Sequence, residues 1–461
     1  MKKLLFLTSL LFCSLLLSAQ DIAGSWNGAL KLGNMEFRLV FHIEKSAAGT
    51  YTGKMDSPDQ GAKSLALSTV TFTNNEDVVF EQKDFGIRYE GKYVQDSIKG
   101  AFHQQGVSIP LNMGRGTISY VRPQEPQAPY PYNSEDVSFV NNEAGIKLAG
   151  TLTYPKKGSK FPAVVLISGS GAQDRNEEIV QHKPFLVIAD YLTRNGFAVL
   201  RYDDRGFGQS EGNFASGTTE DFATDAAAAV EYLKKRKEIN NKKIGLIGHS
   251  EGGTICFINA SKDKSLAFVV TLAAPALSGD SILMYQNRAM IESTGMDIEH
   301  WLEEGEPITV RAYNIVKYST DSLSLADSLR KHYTDIQQAA DPTHSVTATN
   351  IENAIKSFTT PWMRSFIKLD PKRFVEQTSC PVLALNGEKD IQVDANINLN
   401  RLEKDLLRAG NRNARIKKYP SLNHLFQHCT KGSVEEYGKI EETISPEVLS
   451  DISAWIHSIV K

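Results

Sequence analysis

Cysteine is scarce in this sequence, and neither sign of charge dominates it. The 461 residues include four cysteines, 51 basic residues and 54 acidic residues, which give a formal net charge of −3. A chain of this size does not need disulfides, and so few cysteines exclude a disulfide-rich scaffold. The near balance of charge gives no electrostatic reason to expect nucleic acid or an anionic membrane as a partner.

Long apolar runs are missing beyond the N-terminus. The stretch from Leu4 to Leu17 is mostly apolar, but it is too short for a membrane span of about 20 residues. Two lysines precede it and the small residues Ser18 and Ala19 follow it, in the order typical of a secretory signal peptide. We therefore predict a signal peptide over residues 1–20, export to the periplasm or the cell exterior, and no membrane span.

Three cysteines remain once such a signal is removed. Cys256 lies in an apolar run and is expected to be buried, whereas Cys380 and Cys429 could form a disulfide in an oxidising compartment. The sequence leaves open whether they pair. No cysteine–histidine spacing is typical of a zinc site, so we predict no metal.

Short segments of alternating apolar and polar residues follow the signal. They run from "SWNGAL" to "SIKGAFH", with turn residues such as Asn74-Asn75 between them. This pattern predicts a small all-β sandwich or barrel over residues 21–116. The next stretch, "VRPQEPQAPYPYNSED", contains four prolines and predicts a linker over residues 117–136.

From residue 137 onward, predicted strands alternate with predicted helices. Continuous apolar runs such as "FPAVVLISGSG" are typical of strands buried on both faces. The helix in "TTEDFATDAAAAVEYLKKRKE" has Thr218 or Thr219 as its N-cap. We predict an α/β domain over residues 137–461, with a mostly parallel sheet covered by helices. Residues 278–377 carry helical patterns and no clear buried strand, which predicts a helical lid.

Ser250 lies in "GHSEG", where an apolar strand ends and a helix begins. Glycines at Gly248 and Gly252 leave room for a tight strand–helix turn that exposes a nucleophilic serine. Such a serine needs a base and an orienting acid, each placed after a later strand. Asp390 in "PVLALNGEKD" and His424 in "ARIKKYPSLNH" meet this requirement in the expected order. We therefore predict a Ser250–Asp390–His424 triad.

Neighbouring residues offer alternatives for the acid and the base. Asp394 follows Asp390 by four residues and is expected instead to cap the next helix. His428 follows His424 by four residues and is further from the strand end. His249 is inside the turn, and we expect it to be a structural residue that makes hydrogen bonds.

The loop "SGSGAQDRNE" follows the first buried strand and is expected to complete an oxyanion hole. One backbone donor is predicted at Glu251, directly after the nucleophile, and the second at Ser170, with Gly171 as the neighbouring alternative. In the lid, Trp362 is a candidate wall for a substrate acyl group. A tryptophan that only packs within the lid is an equally good interpretation.

The segments "GHSEGG", "ISGSGAQDRNE", "RYDDRGFGQS", "NGEKD" and "LNH" resemble those of the α/β-hydrolase superfamily, over about residues 137–461. The chain is more narrowly similar to EstD-type bacterial esterases, which carry a small β domain before the hydrolase domain. This resemblance implies hydrolysis of short-chain or aryl carboxylic esters without a metal or cofactor. It assigns Ser250 as nucleophile, His424 as base and Asp390 as its partner, and it makes the "YDDRGFGQS" segment a structural turn.

Three other functions share these motifs. A prolyl-oligopeptidase-like serine peptidase has the same turn and triad order, but such enzymes usually carry a propeller larger than residues 21–116 allow. A thioesterase and a catalytically inactive glycan-binding protein are the remaining alternatives. For an esterase, the expected partner is a small-molecule or glycan-linked ester; its acyl and alcohol groups, the role of the β domain and the oligomeric state stay open.

Overall fold

The computed structural model describes residues 21–32, 35–60, 62–104, 106–118, 121–340 and 348–461. The predicted signal peptide, residues 1–20, lies outside the described residues. The chain divides into two compact units, Met1–Ser119 and Tyr120–Lys461. None of the helices in the described residues is both long enough and apolar enough to cross a membrane.

The first unit is an all-β domain. Its described residues form the strands β1 Gly24–Leu32, β2 Met35–Lys45, β3 Tyr51–Ser57, β4 Ala62–Ala66, β5 Thr69–Thr73, β6 Asp77–Gln82, β7 Ile87–Val94, β8 Ser97–Gln104 and β9 Val107–Arg115. They make one antiparallel sheet in the order β4-β3-β2-β1-β9-β8-β7-β6-β5. The sheet curls until β3 meets β5, around the buried side chains of Trp26, Phe41, Phe80 and Tyr89. Alternating residues thus enclose a core, as their pattern predicted.

The second unit is built on a mixed sheet. Its strands are β10 Asn133–Asn141, β11 Ile146–Tyr154, β12 Phe161–Ile167, β13 Ala198–Tyr202, β14 Ile239–His249, β15 Phe268–Leu272, β16 Val382–Gly387 and β17 Ala414–Tyr419. Their order is β10-β11-β13-β12-β14-β15-β16-β17. Strand β11 is antiparallel to both of its neighbours, and the pairs from β13 to β17 are parallel.

Helices cover both faces of this sheet. The α-helices in the described residues are α1 Pro184–Arg194, α2 Thr219–Lys234, α3 Glu251–Lys262, α4 Gly279–Thr294, α5 Ile298–His300, α6 Glu306–Tyr318, α7 Ser322–Ala340, α8 Ala348–Phe358, α9 Pro361–Lys368, α10 Lys372–Val375, α11 Ala395–Arg408, α12 Val434–Tyr437 and α13 Pro446–Ile459. On one face Leu246 packs with Phe257 of α3, and on the other Ile247 packs with Ile452 of α13. The central strands are apolar throughout because both of their faces are buried.

Helices α4 to α10 form the segment between β15 and β16, where the sequence predicted a helical lid. Their own small core includes Ala312, Val316, Leu325 and Ile367. This segment begins where β15 ends, at the carboxyl end of the parallel strands. The predicted fold class, an α/β-hydrolase fold preceded by a small all-β domain, is confirmed.

The proline-rich segment is hydrogen-bonded to the second unit. Arg122 donates to the carbonyl of Ile440 at 2.8 Å, and Gln124 donates to that of Ile444 at 2.7 Å. The first residues of β10 also fall within residues 117–136. Residues 121–136 therefore form part of the second unit.

Candidate active site

Ser250 is held in a strained backbone conformation between β14 and α3. Its φ and ψ are 51° and −121°, in a region that residues other than glycine rarely adopt. Its backbone N–H donates to the carbonyl of Leu272 at 2.8 Å, which fixes the turn against the neighbouring strand. Strain of this kind persists where the surroundings enforce it, often at functional sites. The side chain is partly exposed at the carboxyl end of the sheet.

The flanking glycines allow this turn because no side chain would fit at either position. A Cβ on Gly252 would lie 2.2 Å from the carbonyl oxygen of Ile167, and one on Gly248 would lie 2.1 Å from the carbonyl oxygen of Gly252. Helix α3 can therefore begin directly against the end of β12. Its N-terminus, where helix N–H groups are unsatisfied, then faces the carboxyl end of the sheet.

His424 and Asp390 form a buried pair. The Nδ1 of His424 lies 2.7 Å from Oδ2 of Asp390, and the two residues are 4% and 5% exposed. The other carboxylate oxygen accepts the backbone N–H groups of Gln392 and Val393, at 2.8 and 2.9 Å. The carboxylate is therefore fixed, and an Nδ1–H donated to it leaves Nε2 of the imidazole free to act as a base.

The alternative acid and base lie in different surroundings. Asp394 caps α11, where its carboxylate accepts the N–H of Ile397 at 2.8 Å. His428 is exposed, and its Nδ1 lies 2.8 Å from Glu442. Of the residues considered in the sequence, the structure pairs His424 with Asp390 and places Asp394 and His428 in other contacts.

His249 connects the serine turn to the base. Its Nδ1 lies 2.9 Å from Oε1 of Glu177, and its Nε2 lies 3.0 Å from the backbone carbonyl of His424. Both ring nitrogens face oxygen atoms, an arrangement that favours the doubly protonated ring. Burial acts to lower the pKa of His249, but the charge and hydrogen bond of Glu177 outweigh it and raise the pKa. The expected structural histidine thus joins the oxyanion loop to the segment that carries His424.

Glu177 was not singled out by the sequence analysis. It is almost fully buried, and besides His249 it accepts the backbone N–H of Gly169 at 2.7 Å. It lies in the loop "SGSGAQDRNE", where an acid in a glycine-rich loop was the only available signal. One carboxylate therefore fixes both the oxyanion loop and the histidine before Ser250.

The predicted oxyanion donors lie on the two sides of the serine turn. Among the hydrogen bonds of the described residues, none is donated by the backbone N–H of Ser170 or of Glu251. The Gly169 N–H, in contrast, is already bound to Glu177. Gly171 is exposed next to Ser170. The N–H groups of Glu251 and Ser170 are thus available for a ligand oxygen, and so is that of the alternative donor, Gly171.

The side chain of Glu251 is a buried centre of hydrogen bonds. Its carboxylate accepts the hydroxyls of Ser170 and Thr219, at 2.7 and 2.5 Å, and the indole N–H of Trp362 at 2.9 Å. Burial raises the pKa of this carboxyl, against the lowering effect of the three donors. Trp362 also stacks on Phe366, with ring centroids 4.8 Å apart. Trp362, the candidate substrate-binding residue, is therefore a lid residue that is hydrogen-bonded to Glu251.

Two consecutive acids behind the site hold the oxyanion loop. Asp203 binds the Arg175 guanidinium at 2.8 Å. Asp204 accepts the hydroxyl of Ser168 at 2.8 Å and the N–H of Gln173 at 2.9 Å. Burial raises the pKa of Asp204 to about 8. The "YDDRGFGQS" segment thus supports the loop that carries Ser170.

Known proteins resemble this chain over different spans. The EstD esterase of Thermotoga maritima is 25% identical over 444 residues, which cover 95% of this chain and 88% of that protein. The uncharacterised protein PA2218 of Pseudomonas aeruginosa is 28% identical over 264 residues, 55% of this chain and 66% of that protein. The EstD match thus spans both units.

Two solved structures match this chain with low TM-scores and low sequence identity. The crystal structure of PA2218 has a TM-score of 0.45 and 17% identity, and the comparison covers 75% of this chain and 99% of that one. The esterase Pf2001 of Pyrococcus furiosus has a TM-score of 0.44 and 16% identity, covering 75% of this chain and 100% of that one.

The fold and the EstD relative define an α/β hydrolase of the serine hydrolase class. The chain belongs to the X-Pro dipeptidyl-peptidase (S15) family, whose model matches residues 144–404, more than half of its length. That match includes Ser250 and Asp390 and ends before His424. In the described residues no group of three or more His, Cys, Asp or Glu side chains is arranged to hold a metal ion. All three described cysteines are free, so Cys380 and Cys429 are not bonded.

Proposed function

We propose that this protein is a carboxylic ester hydrolase that acts on short-chain or aryl esters through Ser250, His424 and Asp390. The buried His424–Asp390 pair, linked by His249 to the strained turn at Ser250, is the observation that carries this proposal. A serine on such a turn, a histidine with its Nδ1 held and a fixed carboxylate are the groups that acyl transfer needs.

Acylation begins with attack of the Ser250 hydroxyl on the ester carbonyl. His424 takes the hydroxyl proton at Nε2, and Asp390 stabilises the imidazolium that forms. The backbone N–H groups of Glu251 and Ser170 bind the oxyanion of the tetrahedral intermediate. The C–O bond to the alcohol then breaks, His424 donates its proton to the leaving oxygen, and an acyl-Ser250 ester remains.

Deacylation repeats the route with water. His424 takes a proton from water as its oxygen attacks the acyl carbon, and the same donors hold the second oxyanion. Return of the proton to the Ser250 oxygen releases the acid. His249 contributes by position, because its Nε2 lies 3.0 Å from the backbone carbonyl of His424 and holds the segment that carries the base.

The ester substrate is favoured by the extent of the EstD match. That esterase is similar over 95% of this chain, including the β unit, whereas the peptidase family model covers residues 144–404. The lid then selects the acyl group, with Trp362 as the proposed wall. The substrate is a small-molecule or glycan-linked ester, and the chain is exported by residues 1–20.

A second candidate is an X-Pro dipeptidyl peptidase, because the family model carries that description. Such an activity needs a site that binds the free amino group of the peptide. A carboxylate near Ser250 would have to pair with that charged group, and the carboxylate of Glu251, the next residue, is already bound to Ser170, Thr219 and Trp362. This arrangement favours the esterase.

A paired substrate panel separates these two functions. The native chain and Ser250→Ala are assayed with p-nitrophenyl, feruloyl and acetylated-glycan esters, and with an X-Pro p-nitroanilide. We expect hydrolysis of one or more esters by the native chain, none by the variant, and no cleavage of the anilide. Cleavage of the anilide with no ester activity would establish the peptidase instead.

A further inference from the structure

The β unit contains a large apolar cavity that the proposed catalytic site does not use. Its volume is about 510 Å³, within the range of about 300–1,000 Å³ that small-molecule sites occupy. Thirteen described residues line it, and eleven of them are apolar. The two polar ones are Ser57 and Gln104, and none is charged.

This cavity lies at one end of the space that the curled sheet encloses. In β2, Phe37 and Leu39 line the cavity, whereas Phe41, two residues further along the same face, is fully buried. Phe41 packs on Phe80, and Phe80 stacks on Tyr89, so aromatic rings fill the other end. A curled antiparallel sheet with one filled end and one unfilled end has the form of a small-ligand site.

The cavity opens at the surface. Phe85 and Val107 line it and are each 53% exposed, while Leu39 and Met55 are buried further inside. The described residues therefore line an apolar path from solvent to the interior.

We propose that this cavity binds one unbranched alkyl chain, as found in a fatty acid or in another single-chain lipid. The lining is apolar except for Ser57 and Gln104, and none of its described side chains is charged and able to pair with a head group. The alkyl chain of the ligand therefore enters the cavity, and the head group of the ligand stays in water at the mouth of the cavity. An acid and an alcohol of equal chain length should bind about equally.

In the first test, the full-length protein is titrated with octanoic, decanoic and dodecanoic acids and with dodecanol. Binding is measured as displacement of the fluorescent fatty acid cis-parinaric acid. Each buried methylene should strengthen binding by about fourfold until the cavity is full. The alcohol should bind within about threefold of the matching acid. No saturable binding, or binding that requires the carboxylate, would contradict the proposal.

Two alanines of β4 provide a matched pair of variants. Ala62 lines the cavity, and Ala66 is exposed on the same strand. We expect Ala62→Trp to fill the cavity and weaken binding at least tenfold, and Ala66→Trp to leave it within about twofold, with ester hydrolysis unchanged in both. Equal binding by both variants would overturn the assignment.

A mapping experiment covers the case in which Ala62→Trp does not fold. The native protein is irradiated with a diazirine-labelled dodecanoic acid, and the labelled peptides are identified by mass spectrometry. Label in peptides that contain Leu39, Met55, Phe85 or Val107 supports the cavity. Label confined to residues 121–461 places the ligand at another site and contradicts the proposal.

Discussion

The indole N–H of Trp362 donates to both carboxylate oxygens of Glu251, at 2.9 and 3.1 Å. Trp362 lies in α9 of the lid, and Glu251 is the first residue of α3, directly after Ser250. The lid is thereby bound to the residue whose backbone N–H is a proposed oxyanion donor. Substrate selection by the lid and orientation of that donor are linked through one carboxylate.

Replacing Trp362 by alanine should change substrate choice. The change removes an apolar surface of the lid, and apolar differences in a pocket are worth about 1–3 kcal/mol, so the ratio of kcat/KM for bulky and small acyl esters should shift roughly tenfold. Trp362→Phe keeps a ring but loses the hydrogen bond to Glu251, and should lower kcat more than it changes the ratio. Trp301→Ala, at the other lid tryptophan, should alter neither quantity; an equal shift there would contradict the assignment.

Asp390→Asn should lower kcat by about 10⁴, as expected for loss of the carboxylate that orients a triad histidine. Asp394→Asn is the matched control, because asparagine caps a helix about as well as aspartate and should keep the bond to Ile397. Steady-state kinetics and thermal unfolding of both variants separate catalysis from folding. A larger loss of kcat at Asp394 would reverse the two roles.

Glu177→Gln should lower the pKa of His249. The native carboxylate holds this pKa above its usual value, and removing its charge leaves burial opposed only by the weaker effects of the His424 carbonyl and the Asp390 charge. Glutamine can still accept the Gly169 N–H, which keeps the loop in place. Imidazole NMR titration should show that His249 loses its proton at a lower pH in this variant than in the native protein. The control is Glu178→Gln, and a His249 titration that is equal in both variants would show that Glu177 does not set its charge.

Asp204 should make the protein less stable as pH rises. Its pKa is about 8 in the folded state and about 3.9 in an unfolded chain, so the folded state alone holds this proton between these values. The free energy of unfolding contributed by this group therefore declines from about pH 4 to about pH 8. Urea unfolding across this range measures the slope. Asp204→Asn, which mimics the protonated group, should flatten it, and an unchanged slope would assign the effect to another residue.

The sequence predicted those parts of the site that depend on local pattern. Ser250 is recognisable because glycines must flank a tight turn, and Asp390 and His424 each follow an apolar strand. The helix cap at Thr218 is equally local, and its capping box with Asp221 is present. These features need only the residues near them in the chain.

The remaining contacts depend on packing between distant segments. Thr219 reaches Glu251 because α2 packs against α3, and no spacing in the sequence indicates this contact. Glu177 contacts His249, although the two residues are 72 positions apart in the sequence. The apolar cavity of the β unit forms because the whole β sheet curls, and alternation of residues alone does not specify this curl.

The most direct test is identification of the acylated residue. The native protein is mixed with a p-nitrophenyl ester, quenched in acid during the burst of p-nitrophenol and digested for mass spectrometry. We predict one acyl group on the peptide that contains Ser250, and none in Ser250→Ala. A burst with the acyl group on another residue, or ester hydrolysis near the native rate in Ser250→Ala, would contradict the proposed nucleophile.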